Sequence, residues 1–203
     1  MKKLFLLSVL SLLILSCGQK GGENQENKEN KEQEVGLNDK IQDTFFGVKF
    51  GASREEVIKA FEERGFKILD EVSSNVILNF DIGSEYFSFG GMHWNHVNVN
   101  LYDNKFYEID FALMSEIKET TLGNFESVLS LVSSKYKIKE KAIEDNKVYR
   151  EYIDNMYKDY VGYSKDGRYL RILYFSIDNC GRETYHVHLI YGDETFNKPN
   201  DEL

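Results

Sequence analysis

Phe50-Gly51-Ala52-Ser53-Arg54-Glu55-Glu56-Val57-Ile58-Lys59-Ala60-Phe61 is the stretch from which the rest of the chain can be read. Ser53 and Glu56 stand three apart just ahead of an apolar run. That is a capping box: the Ser53 hydroxyl accepts the Glu56 amide, and the Glu56 carboxylate reaches back to the Ser53 amide. Val57, Ile58 and Phe61, with Ala60, fall on one helical face, and the Glu and Lys residues stay wet. Gly65 supplies a left-handed stop. The pattern predicts a helix over 54–64 with one buried side.

Around this helix the sequence changes period. Phe45-Phe46-Gly47-Val48-Lys49-Phe50 reads as a short apolar strand or strap before it. After it come runs at 66–69, 76–80 and 86–89, bounded by Ser, Asn, Asp and Gly, as strands require. From His96 to Tyr102 the alternation is strict: Val97, Val99 and Leu101 on one side, His96, Asn98 and Asn100 on the other. Asp103-Asn104 turns the chain, and Tyr107, Ile109, Phe111 and Leu113 follow with Glu108 and Asp110 facing outward.

The same order then returns. Asn124 is a good N-cap with Glu126 in the first turn, and Phe125, Val128, Leu129 and Val132 form a second helical stripe ending near Lys135. Strands are expected at 136–139, 148–152, 157–163, 168–177 and 184–191, with Asp166-Gly167 the strongest hairpin signal. Ser53 aligns with Asn124, Val57-Ile58 with Val128-Leu129 and Phe61 with Val132, all 71 residues apart. Tyr107-Glu108-Ile109-Asp110-Phe111 aligns with Tyr185-His186-Val187-His188-Leu189 at 78, the growth falling in the loop around Cys180. The expected fold is α+β: two helix-plus-antiparallel-meander repeats, about 45–115 and 116–193, joined into one continuous sheet with both helices on one face. Together they form a single domain over 45–193, and 194–203 is a flexible tail.

The Phe50 to Val57 helix start, followed by a meander, resembles the small bacterial lipoprotein domains of β-lactamase-inhibitor-protein-like fold, shared by outer-membrane assembly lipoproteins. In that class the open sheet face binds another protein. The resemblance therefore implies a binding module and carries over no site residues.

Met1 to Cys17 points the same way. Lys2-Lys3, an apolar run from Leu4 to Leu15, and Ile14-Leu15-Ser16-Cys17 describe a signal peptide too short for a stable span of about 20 residues. With cysteine at the cut, the segment resembles the lipobox of bacterial lipoproteins, in which Cys17 becomes the first residue and is acylated (palmitate among the chains). Residues 18–44 are then a disordered tether of Gly, Asn, Gln, Glu and Lys. The net charge is −9, and −11 once Lys2 and Lys3 are removed. So acidic a body repels phosphate backbones and excludes nucleic acid as a partner. Cys180, in a turn-rich loop beside Arg182, is left without a disulfide partner.

Chemistry is harder to find. The chain lacks a Gly-x-Ser-x-Gly elbow, a P-loop, a His-Glu-x-x-His and a dinucleotide fingerprint, and we expect no enzyme and no cofactor. His186 and His188 share a strand face, and Glu108 and Asp110 take the equivalent positions in the other half. If those strands meet, the four form a metal site or acid–base pair; otherwise they line a solvated face. The aromatic surplus, 14 Phe and 13 Tyr against one Pro, suggests an exposed patch of Trp94, Tyr86, Phe89, Tyr160 and Tyr163. Such a patch would bind a protein or a sugar, unless loops cover that side. The expected role is a lipid-anchored, non-enzymatic envelope protein of the outer membrane that binds a partner protein or envelope component. Metal binding and glycan capture are the alternatives.

Overall fold

A computed structural model of the chain describes residues 37–70, 73–81, 87–142, 153 and 155–196. The first helix, α1 (Arg54–Glu62), forms as its capping box dictates: Glu56 N donates to Ser53 Oγ at 3.3 Å and Ser53 N to Glu56 Oε2 at 2.7 Å. Gly65 takes φ +87°, the conformation that a side chain resists. Before α1 lie three two-residue strands, β1 (Leu37–Asn38), β2 (Thr44–Phe45) and β3 (Val48–Lys49). After it come β4 (Lys67–Ile68), β5 (Ile77–Asp81), a small hairpin of β6 (Phe87–Phe89) and β7 (Met92–Trp94), and the long pair β8 (His96–Tyr102) and β9 (Lys105–Ser115). Helix α2 (Lys118–Ser133) follows, then β10 (Lys139–Glu140), β11 (Asn155–Ser164), β12 (Arg168–Asp178), β13 (Glu183–Asp193) and a short 3-10 turn, Glu194–Phe196.

Nine strands share one sheet in the order β1-β11-β12-β13-β9-β8-β5-β4, with β10 also on the β11 edge. Every pairing is antiparallel except β1 with β11. The seam is β9 against β13, paired from Ser115–Tyr185 to Glu108–Gly192. The turns are the expected ones: Asp103-Asn104, both at positive φ, and the Asp166-Gly167 hairpin. The chain is thus α+β.

Because strand side chains alternate, one sheet face takes Leu78, Val97, Val99, Ile109, Phe111, Val187, Leu189 and Tyr191. They join Val57 and Phe61 of α1 and Phe125, Val128 and Val132 of α2 in one buried core. Aromatics fill it. Phe89 stacks on Phe111 at 4.2 Å and 8°, and Phe45 lies 5.2–6.3 Å from Phe50, Phe89, Phe106, Phe111 and Tyr191. The β6–β7 hairpin lays its aromatics onto this layer. A surplus that looked too large for one core is absorbed by it.

Three boundaries differ from expectation. The ordered body starts before Phe45: Asn38 is buried, its Nδ2 donating to Lys137 O at 3.0 Å and Tyr163 O at 3.1 Å, and its Oδ1 accepting Lys137 N at 2.7 Å. One amide side chain therefore stitches β1 to the segment leading into β10 along the shared edge of β11, and Ile41 enters the core. At the other end the 3-10 turn is ordered, because Phe196 packs over Gly51 and against the core. Helix α2 starts at Lys118, not at Asn124, with Ile117 as an N-cap that makes no side-chain hydrogen bond. Thr121, buried with its hydroxyl on Ile117 O at 3.0 Å, draws the extra turns onto the sheet. The signal segment and most of the tether fall outside the described residues, as do the strand expected at 148–152 and Tyr86. Among the described residues no helix is long and apolar enough to cross a membrane.

Candidate functional site

The second sheet face carries a grid that follows from register, since residues paired across antiparallel strands project the same way. Its central row is His96–Ala112–His188–Leu173–Asp159 and the adjacent row is Asn98–Asp110–Ile190–Arg171–Val161. On the far side of Asn98 lies Asn100–Glu108–Gly192–Tyr169–Tyr163, and beyond His188 lies Met114–His186–Phe175–Met156. β9 and β13 form the middle of each row.

Diagonal neighbours on this grid bond. His188 Nδ1 lies 2.8–2.9 Å from both carboxylate oxygens of Asp110. A carboxylate there holds the proton on Nδ1 and leaves Nε2 as the free face of the ring. That Nε2 is buried without a hydrogen-bond partner among the described residues. One diagonal over, Arg171 donates Nε to Asp159 Oδ1 at 2.8 Å and Nη2 to Oδ2 at 2.6 Å, and Asp159 is 0 % exposed. Glu108 accepts from Asn100 Nδ2 and Tyr169 OH. Burial raises its carboxyl above the usual range, against the pull of those two donors. Tyr169 reaches Glu108 only because Gly192 lies between them: a Cβ there would overlap the Tyr169 ring.

Apolar residues separate these pairs. Leu173, Phe175 and Ile190 form their own buried cluster, joined by Met156, Tyr169 and Ile177. Phe175 stacks on His186 at 4.9 Å and 10°, and lies tilted against His188 at 4.9 Å and 38°. Burial, then the neighbouring His188, holds His186 neutral down to about pH 4. His96 is lowered for the same two reasons, burial first.

The meeting of the Glu108/Asp110 strand with the His186/His188 strand therefore occurs, and of the four residues it bonds one pair, His188 with Asp110. The other two are engaged elsewhere. His186 Nε2 faces Thr184 Oγ1 at 2.9 Å and Glu108 is held by Asn100 and Tyr169. Among the described residues no group of three His, Cys, Asp or Glu is placed to hold a metal ion. Of the four residues expected to form a metal site or acid–base pair, the structure brings His188 and Asp110 into contact.

The described aromatics expected to form an exposed patch do not lie together on one surface. Trp94 is fully buried, its Nε1 donating to Phe89 O at 3.0 Å, and Phe89 is stacked in the core. Tyr160 projects to the core side and donates to Glu140 at 2.9 Å. Of the described members, only Tyr163 stands on the second face. The residues that were missed, Asp159, Arg171, Tyr169 and Gly192, left one signal: Arg171 places a charge inside the apolar run Leu170 to Phe175. Cys180 is exposed in its loop at φ +57°, and Arg182 is turned to Glu116.

Compared with known protein families, curated proteins and solved structures, the chain finds no match.

Proposed function

We propose that this chain is a bacterial envelope lipoprotein, anchored through Cys17 and probing its surroundings with a non-enzymatic binding body whose contact surface is the second face of the sheet. The observation that carries the reading is the His188–Asp110 pair. Its Nε2, buried and without a hydrogen-bond partner among the described residues, lies beside the buried apolar cluster of Leu173, Phe175 and Ile190, in a row ending at exposed His96. Interface cores set a few oriented polar groups among apolar ones, and this face carries that combination. The reading assigns the anchor to the Ile14-Leu15-Ser16-Cys17 sequence and the tether to the polar stretch after it. A partner protein or envelope component is the expected ligand.

Two copies of one helix-plus-meander unit account for the body. What supports this is the arithmetic of the elements. α1 and α2 end 71 residues apart, and β9 and β13 both start and end 78 apart. From the seam outward, β9-β8-β5-β4 runs one way and β13-β12-β11-β10 the other.

The test is site-directed photo-cross-linking in the full chain, with a photoreactive residue at His96 or Asn98 and a control at Ser127 on the exposed side of α2. A discrete product from the sheet positions and none from Ser127 is expected. Equal labelling, or none from the sheet, overturns the reading. Mass spectrometry of the mature N-terminus checks the anchor, which fails if the protein begins at another residue without fatty acid.

A further inference from the structure

At the opposite face, where α2 begins, two tyrosine rings flank a cation, with a third tyrosine and an acid packed behind them. Lys118 Nζ lies 5.0 Å from the centroid of the Tyr157 ring and 5.7 Å from that of Tyr185. Tyr174 packs 4.9 Å from Tyr157. Glu183 sits among them, taking hydrogen bonds from Tyr185 OH at 2.5 Å and Ser176 Oγ at 2.7 Å, with Tyr157 OH at 3.5 Å. Those donors hold the Glu183 carboxyl below its ordinary range, Tyr185 first, and the bond pushes the Tyr185 phenol up to about 12. The acid is therefore charged and the Tyr185 ring stays neutral across the physiological range. Aromatic faces backed by a fixed anion are the chemistry that selects an organic cation.

Lys118 is a poor permanent occupant of this cage. It is the first residue of α2, the end at which the helix dipole disfavours positive charge, and no side chain caps that end. A primary ammonium is also strongly hydrated and seeks hydrogen-bond acceptors, whereas ring faces offer only their quadrupole. A trimethylammonium group carries the same charge, has no N–H to satisfy and gives up less hydration on entering. The buried Tyr174 hydroxyl, without a hydrogen-bond partner among the described residues, adds an unused polar group to the same cluster.

We infer that Tyr157, Tyr185, Tyr174 and Glu183 form a site for a quaternary ammonium group, with Lys118 as its displaceable resident. The group could come from a free small molecule or from a trimethylated lysine side chain, so both probes are used. Choline chloride and Nε-trimethyl-lysine are titrated into the full chain by calorimetry. In parallel, NMR follows the Lys118 ε-methylene signal, which two ring faces shield. Three variants accompany the wild type: Lys118→Ala, Tyr185→Phe and Lys118→Ala/Tyr185→Leu.

Removing the resident should tighten binding of at least one probe about tenfold, from the loss of two cation–ring contacts. Tyr185→Phe keeps the ring face and should stay within about threefold of wild type. The double variant should lose what Lys118→Ala gained. In the wild type, the Lys118 signal should move toward its unshielded position as the probe enters, a readout independent of any variant's stability. The tighter probe identifies the source. The inference is overturned if Lys118→Ala binds neither probe more tightly than wild type, if the double variant binds as well as Lys118→Ala, or if both probes leave the Lys118 signal unmoved.

Discussion

Replacing Arg171 by leucine should be among the most damaging single changes on the second sheet face. Asp159 is completely buried and takes two short bonds, 2.8 and 2.6 Å, from the Arg171 guanidinium. Leucine fills much of the space but removes both of these donors and their compensating charge. Breaking a buried pair from one side costs about 3–5 kcal/mol, because the remaining charge loses its compensation and cannot recover its hydration. With a urea dependence of roughly 2 kcal/mol per molar for a body of this size, the midpoint should fall by about 2 M. Arg171 also draws the Glu108 carboxyl downward, against burial, so its loss raises that group further. The double variant Asp159→Leu/Arg171→Leu removes both charges into a layer already lined by Leu173 and Ile190. It should recover to within about 1–2 kcal/mol of wild type, since an apolar pair of similar volume replaces a buried ion pair at little net cost. Equilibrium urea unfolding at neutral pH, read by Trp94 fluorescence and far-UV circular dichroism together, measures all four corners of the cycle. If Arg171→Leu shifts stability by less than about 1 kcal/mol, water reaches Asp159 and the burial argument fails. If the double variant loses the sum of the two single losses, the coupling reasoning fails instead.

Further expectations concern residues around this pair. Gly192→Ala should destabilise the chain by about 1–3 kcal/mol, as overpacking does, because the new methyl group displaces the Tyr169 ring; thermal unfolding shows it, and Tyr169→Ala should make Gly192→Ala tolerable. His186, held neutral to about 4 against an ordinary 6.5, makes the folded state the weaker proton binder between those values. Stability is therefore full above about pH 6.5 and falls as the pH drops toward 4, by no more than about 3 kcal/mol. His186→Gln should flatten that fall in denaturant titrations at pH 7, 5.5 and 4.5, and an unchanged pH profile contradicts the assignment. Trp94→Ala should cost about 3–5 kcal/mol by opening a cavity in the aromatic layer, with no selective effect on sugar retention. Ser53→Ala should cost about 1 kcal/mol through the lost cap, seen as a lowered melting temperature.

Local chemistry was legible in the chain wherever one or two neighbours decide the outcome. Ser53 and Glu56 specify the start of α1, Gly65 its end, Asp103-Asn104 and Asp166-Gly167 their hairpins, and strict alternation from His96 to Tyr102 assigns each side chain to a face. Those features depend on backbone dihedrals and on hydrogen bonds within a few residues. The start of α2 was misread because its extra turns are held by burial of Thr121 against the sheet, which no local signal encodes.

What the tertiary structure decided was which distant residues meet. The juxtaposition of Asp110 with His188 required β9 to pair with β13 in one register, and a slip of one residue between them would have put the two on opposite faces. Trp94 and Phe89 are core because a hairpin folds them inward, and composition cannot say which aromatic a loop will carry under cover. Lys118 sits among Tyr157 and Tyr185 because the extended α2 delivers it there. Sequence determines the periodicity of each strand and helix. The contacts that give this protein its acid–base pair, its buried ion pair and its tyrosine cage arise only when strands far apart in the chain become neighbours.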